Sequence, residues 1–356
     1  MRLSVLCLAA VSASLLATAR PAAACDSSSC AILTRGGLGT LTKGAFAVDL
    51  SFRYTDEGKG LAGSSATRDV VLPRIDFDGQ RLLPGFHREI DGSNNALQAD
   101  VSYGVTSRLS AFVSLPLFTR KSYLHTHVPG THVVEPTDPQ VPTTDDPHGH
   151  GPAPAAVAVP LPYASDGFGD TQIGARYALW GGASQRLSAG FALKLPTGES
   201  ELPNTLDGGL HDPTLQPGTG SLDYILSALY ARGGAPVQWA ASASHQLATA
   251  NDLGYSFGDE TILGVSVTRT LRAVYSRASV GASVQVKAHF RGRSTYLDAP
   301  VPSTGGRMVI LSPGLRVTTP GGLGFYAYLQ VPVYRHVNDA QLAMRSSLLA
   351  GVSRGF

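Results

Sequence analysis

Beyond its first two dozen positions the chain has no unbroken run of about 20 apolar residues, which excludes a helical membrane protein. It also lacks an excess of charge of either sign. Without Arg2 and Arg20, both in the leader described below, its 28 basic residues fall to 26 and equal its 26 acidic ones. That balance gives no footing for nucleic acid or an acidic polymer as partner. Cysteine is reduced to Cys7, Cys25 and Cys30, and no Cys-X-X-Cys-His sequence is present, which removes covalent haem. There is no Walker loop, no His-Glu-X-X-His and no nucleotide fingerprint. What the chain has instead is 40 glycines, only 15% charged residues and a modest 43% hydrophobic content. This composition suits a β-barrel with one face in lipid and the other in water.

Residues 1–24 read as a secretory signal peptide, with Arg2, an apolar run from Leu3 to Ala17 and an Ala22-Ala23-Ala24 cleavage box. Its removal takes Cys7 and leaves Cys25 and Cys30 in a periplasmic segment, 25–42. In an oxidising compartment these two pair as a small disulfide loop. Lipid modification of Cys25 is an alternative, although the usual Leu three residues upstream is missing. Metal or redox chemistry is a third.

Period-two alternation with turn punctuation predicts twelve strands, near 43–54, 95–105, 108–119, 169–180, 186–196, 219–231, 236–247, 259–269, 273–290, 307–318, 322–334 and 341–356. In the fifth, Leu187, Ala189, Phe191, Leu193 and Leu195 oppose Ser188, Gly190, Ala192 and Lys194. Short turns follow the even-numbered strands up to the tenth. Longer segments follow odd ones, notably 55–94, 120–168 and 197–218. The last strand alternates through Leu342, Met344, Leu348, Ala350 and Val352 to Phe356, a pattern that barrel-assembly machinery reads. The expected fold is therefore all-β, an antiparallel transmembrane β-barrel of about twelve strands over 43–356. Both termini and the short turns would face the periplasm. The long loops would lie outside the cell, and outer-membrane lipid of a Gram-negative bacterium would surround the wall.

The faces assigned to the lumen carry Asp49, Arg53, Asp100, Asp170, Arg176, Lys194, Asp223, Glu260, Lys287, His289, Arg316 and Arg345. They fit either a network of ion pairs that partly fills the barrel or a polar path orienting a small solute. Tyr177, Tyr224, Tyr230, Trp239, Tyr275 and Phe290 fall near strand ends on the lipid face, as interfacial aromatics do. Arg354, on the same face, sits where a long cation can snorkel.

Five of the ten histidines, His125, His127, His132, His148 and His150, lie in the second long loop. His-X-His spacing can bring two imidazoles to one Zn, Cu or Ni ion, and a solvated Pro-rich loop accounts for them equally. A catalytic set does not assemble. Ser244 and His245 are adjacent and so on opposite faces, while His289 has only Ser279 and Ser283 far down its own face.

Three stretches carry a resemblance. Gly167-Phe168-Gly169-Asp170 through Tyr177, Leu193-Lys194-Leu195-Pro196-Thr197-Gly198, and Pro217-Gly218-Thr219-Gly220-Ser221-Leu222-Asp223-Tyr224 resemble motifs of the MetA-pathway phenol-degradation family of outer-membrane transporters. The run from Tyr326 to Phe356 is similar to that family's end. The resemblance implies a barrel without catalytic residues or cofactor that passes small, often aromatic or apolar, molecules across the outer membrane. The resulting expectation is a channel for a small-molecule solute, not an enzyme, with a metal-binding or metal-uptake protein acting through the histidine loop as the alternative.

Overall fold

The computed structural model describes residues 39–127, 160–204, 209–233, 236–272 and 278–356. The leader, Cys25, Cys30, His132, His148, His150 and Tyr275 lie outside them. No helix is present among the described residues. Twelve strands form a ring: Phe46–Asp56, Arg81–Gly104, Leu109–His127, Gln172–Gly181, Gln185–Lys194, Asp223–Arg232, Val237–Leu247, Glu260–Arg272, Ser279–Arg291, Gly306–Thr318, Leu323–Val337 and Ser346–Gly355, here called first to twelfth. Each is antiparallel to its sequence neighbours, and the first pairs with the twelfth, so the sheet closes on itself.

The burial pattern is inside out relative to a soluble barrel. Leu50, Phe52, Leu226, Leu263, Val265, Val284, Leu315 and Phe325 are 40–56% exposed on the outer face. Asp49, Asp100, Ser188, Lys194, Asp223, Gln285 and Ser312 are buried within. Alternation produces this, because successive side chains of a strand point to opposite sides of the sheet. An apolar belt of that extent needs a nonaqueous surrounding.

The two ends of the ring differ. Turns of three or four residues join the second strand to the third, the fourth to the fifth, the sixth to the seventh and the tenth to the eleventh. At this turn end the first and last strands are tied by Phe46 N–H to Phe356 O at 3.1 Å and Phe356 N–H to Phe46 O at 2.7 Å. The other end carries the long connections and is called the loop end.

The structure departs from the expected elements at the loop end. The segments 55–94 and 120–168, expected as loops, are partly sheet. The second strand begins at Arg81 and the third runs on to His127, and they pair with each other beyond the ring. Val70–Asp76 and Leu161–Gly167 flank them, making a four-stranded projection. The ladder shifts register at Glu89/Asp91 and Leu97/Gln98, which flips the alternation and hides the strand from a period-two reading. The last strand is also interrupted. Ala340–Ala343 leaves the ring to pair with Lys59–Ala62, and the twelfth barrel strand starts only at Ser346.

Before the first strand, residues Gly39 to Ala45 cross the lumen at the turn end. The Leu41 amide donates to Ser110 Oγ at 2.8 Å, and Arg186 reaches the Thr40 carbonyl at 3.1 Å. Gly39, at φ +90°, passes so close to the wall that a Cβ would lie 2.7 Å from Ser188 Oγ and 2.8 Å from Leu229. These contacts belong to the third, fifth and sixth strands. The strap therefore spans from the first strand to nearly the opposite wall, and Leu41 is 2% exposed.

Candidate functional site: a filled lumen beside a gap in the wall

The three motif stretches converge. Lys194, near the loop end of the fifth strand, sits 2.6 Å from Asp223 and 3.4 Å from Asp170, with all three side chains at most 7% exposed. Its ammonium also donates to Thr219 Oγ1. Asp170 accepts the backbone N–H of Gly198 at 3.0 Å and that of Thr219 at 2.8 Å. Asp223 accepts from Ser221 Oγ, Gln246 and the Thr249 N–H at 2.8–3.0 Å. One cation thus serves two carboxylates whose remaining lone pairs are taken by backbone and side-chain donors, which is what buried charge requires. The glycines allow the segments to meet. A Cβ on Gly218 would stand 2.6 Å from the Gly198 carbonyl carbon.

Beside this cluster the wall is interrupted. The third strand pairs with the fourth only from Leu109 to Ser114, and from Thr119 to His125 it pairs with Leu161–Gly167 instead. Across residues 115–118 one hydrogen bond remains, from the Gly169 N–H to the Pro116 carbonyl at 3.0 Å. Pro116 has no N–H to offer, and Gly169 leaves room because a Cβ there would press on Pro116 at 2.8 Å. Leu117 and Phe118 stand 43% and 37% exposed at the gap.

Elsewhere the lumen is filled. Asp49, Asp100, Asp223, Gln285 and Ser312 are 0% exposed on five different strands, and Lys287 is 2% exposed. Asp49 accepts from Tyr326 OH at 2.8 Å. Asp100 accepts from Gln98 at 2.9 Å and from Ser114. Arg176 lies over the Phe112 ring at 5.0 Å, and Arg316 over Tyr326 at 5.8 Å while donating to Ser353. Arg53 is half-buried. Glu260 is 3.0 Å from His289 and is also paired with Arg291. Arg345 stands outside the barrel strands, at the loop end, where it pairs with Asp56 at 3.1 Å. Of the aromatics expected on the outer face, Tyr177, Tyr224, Trp239 and Phe290 are 39–45% exposed. Tyr230 is half-buried and donates to Gln185 at 3.0 Å.

The loop end holds a second polar cluster that lies beyond Phe118, the last exposed apolar residue of the third strand. A cleft of about 530 Å³, open to solvent, is lined by His87, Glu89, Tyr123, His125, Tyr163, His211 and Asp212 among others. The His125 ring is stacked on Tyr163 at 4.1 Å and lies 5.0 Å from His87. Burial, with Asp212 and Glu57 nearby, pushes Glu89 up to about 8. Burial also raises Asp212, and it lowers Lys121 to about 8. The Lys121 ammonium donates to the carbonyls of Thr214 at 2.9 Å and Gln216 at 2.8 Å, tying residues 214–216 to the third strand at the loop end. Of the five histidines singled out for metal, His125 is the one whose side chain is described here. Among the described residues no group of three or more His, Cys, Asp or Glu gathers as metal ligands. His87, Glu89 and His211 were not singled out in the sequence, since they lie in segments read as loops.

Ser244 is buried in the wall and His245 is hydrogen-bonded to Thr261 Oγ1 at 2.8 Å. Ser283 bonds Thr268 at 3.0 Å rather than His289.

No protein-family model matches the chain, and no curated protein matches it. Among solved structures, an outer membrane channel from Pseudomonas putida F1 superposes with a TM-score of 0.53 at 11% identity, covering 89% of this chain and 97% of that one. The likeness is one of fold. The β domain of the Bordetella autotransporter BrkA gives 0.43 at 12% identity, over 88% and 100% of the two chains. A Pseudomonas aeruginosa FadL homologue gives 0.35 at 12%, over 88% and 90%. With its first and twelfth strands paired and the fold of the P. putida channel, the chain is a closed twelve-stranded barrel of the outer-membrane type.

Proposed function

We propose that this protein is an outer-membrane channel for small apolar or aromatic solutes, which leave the lumen sideways through the gap between the third and fourth strands. The observation that carries the reading is the stretch 115–118, which lacks ladder partners on its fourth-strand side, includes exposed Leu117 and Phe118 and is backed by the Asp170–Lys194–Asp223 cluster. A filled, charge-paired lumen favours this over an open aqueous pore, because a hydrophilic solute would need solvated inner side chains. An apolar solute gains instead from a sideways exit into hydrocarbon, since its transfer out of water is favourable. The solute class follows the resemblance to the phenol-degradation transporter family, and the P. putida protein is itself a channel. In this reading the barrel sits in the outer membrane of a Gram-negative bacterium. Its turn end faces the periplasm, and Phe356 engages the assembly machinery.

The test is a cysteine pair replacing Leu117 and Phe168, on the two sides of the gap, in a background without Cys25 and Cys30. Closing the pair with a bifunctional thiol reagent should stop uptake of a neutral aromatic, and a cleavable linker should restore it on reduction. Uptake unchanged by the closed bridge would sink the lateral route. Absence of uptake in the unbridged protein would sink the channel reading as a whole.

A further inference from the structure

Carboxylates are unevenly spread along the axis of this barrel. Among the described residues, Asp49 and Asp100 are the two in the turn-end half, and both are on the inner face with no exposure. All others belong to the loop-end half or its connections. Cations are not sorted that way. Lys43 and Arg108 are exposed at the turn-end rim, and Arg232 and Arg269 are exposed on its outer face. Arg232 continues the outward row of Tyr224, Leu226 and Ala228, and Arg269 continues that of Leu263, Val265 and Val267. Arg354 continues the row of Leu348, Ala350 and Val352, with its guanidinium 5.0 Å from the Phe356 ring.

The register brings Arg232 opposite Trp239 and Arg269 opposite Val237, on three consecutive strands and one face. Tyr230 lies 5.0 Å from Trp239, so the cations flank an aromatic pair at the edge of the apolar belt. Among the described residues neither Arg232 nor Arg269 forms an ion pair. Cations just past the edge of a belt, with aromatics at the headgroup level and no acid beside them, complement an anionic membrane surface. We infer that the turn-end outer rim is a docking surface for anionic phospholipid headgroups, centred on Arg232, Trp239 and Arg269. The choice of phospholipid over lipopolysaccharide rests on the reading of the turn end as periplasmic, because phospholipid forms that leaflet.

The experiment is native mass spectrometry of the full-length protein in detergent at low salt, offered phosphatidylglycerol and phosphatidylcholine in equal amounts. The wild type should retain phosphatidylglycerol in preference. Arg232→Gln with Arg269→Gln should lower that preference about fivefold for each cation removed, and the paired Lys substitutions should keep it. Heat-modifiable migration identifies a folded barrel. If the double variant does not fold, Arg354→Gln alone should give about a fivefold loss. Equal retention of the two lipids by the wild type, or an unaltered preference in the Gln variants, overturns the proposal. So does a stronger preference for lipopolysaccharide, offered to the same proteins in a parallel mixture with phosphatidylglycerol, that disappears with the same arginines. Solute uptake should be the same in wild type and variants, which separates failure here from failure of the channel reading.

Discussion

Lys194 has one positive charge to divide between Asp170 and Asp223, and almost no water to help. With side-chain exposures of 7%, 5% and 1%, the three groups are fixed by each other and by their hydrogen bonds. Removing the cation would leave two buried carboxylates facing one another, a change that costs about 3–5 kcal/mol. Lys194→Met should therefore lower barrel stability by about that amount. Asp223→Asn keeps an oxygen for Ser221 and Thr249 but turns an amide NH2 toward Gln246 and Lys194. With Asp170 still balancing the cation it should cost less than Lys194→Met, and heat-modifiable migration at rising temperature would rank the two. The sequence marks these three residues, because each sits in a Gly- or Pro-marked motif at a strand end. It does not mark their meeting. Asp170 and Asp223 are 53 positions apart, and only the ladder brings both to Lys194. Glu89 and His211 lacked even that signal, since neither lies in an alternating stretch.

The projection formed by the second and third strands is an element with its own pH response. Glu89 ordinarily titrates near 4.5 and here near 8, so between those values the folded chain holds a proton that the unfolded chain has released. Stability of this element is then greatest below about 4.5 and falls as pH rises through about 8. Lys121, lowered to about 8, acts in a separate window. It penalises folding while charged and is relieved from about 8 towards its ordinary 10.5. Hydrogen exchange of residues 81–93 and 120–127 should speed up between about pH 5 and pH 8, after correction for intrinsic exchange. Glu89→Gln should remove most of that change, and an equally steep profile in the variant would show that Glu89 does not cause it. At this scale the sequence was informative for strands with unbroken period two, such as Gln185–Lys194. It was silent around the register shift at Glu89/Asp91, in a segment read as a loop, and where the strap from Gly39 to Ala45 has no periodicity, while the shift at Leu97/Gln98 falls inside strands the sequence did show.

For the molecule as a whole, two independent patterns had specified the ring: alternation within strands and the sorting of short and long connections between them. Neither depends on a long-range contact, which is why strand number and order were readable while the packing of the loop end was not. There, Ile75, Tyr255, Tyr296 and Val301 join three connections in one apolar cluster. Such a ring has few independent parts, so Lys194→Met should shift a single unfolding transition rather than split it, as loss of near-UV signal and of heat-modifiable migration would record together. The junction of Phe46 with Phe356 gives this cooperativity a direction in time. A growing set of eleven strands would expose two unpaired edges in hydrocarbon, each open to any neighbouring strand. The strap lies next to that junction, so the wall closes beside the segment that crosses its mouth. A half-built barrel would be a hole as well as an open edge, and the strap stands one residue from the strand that closes both.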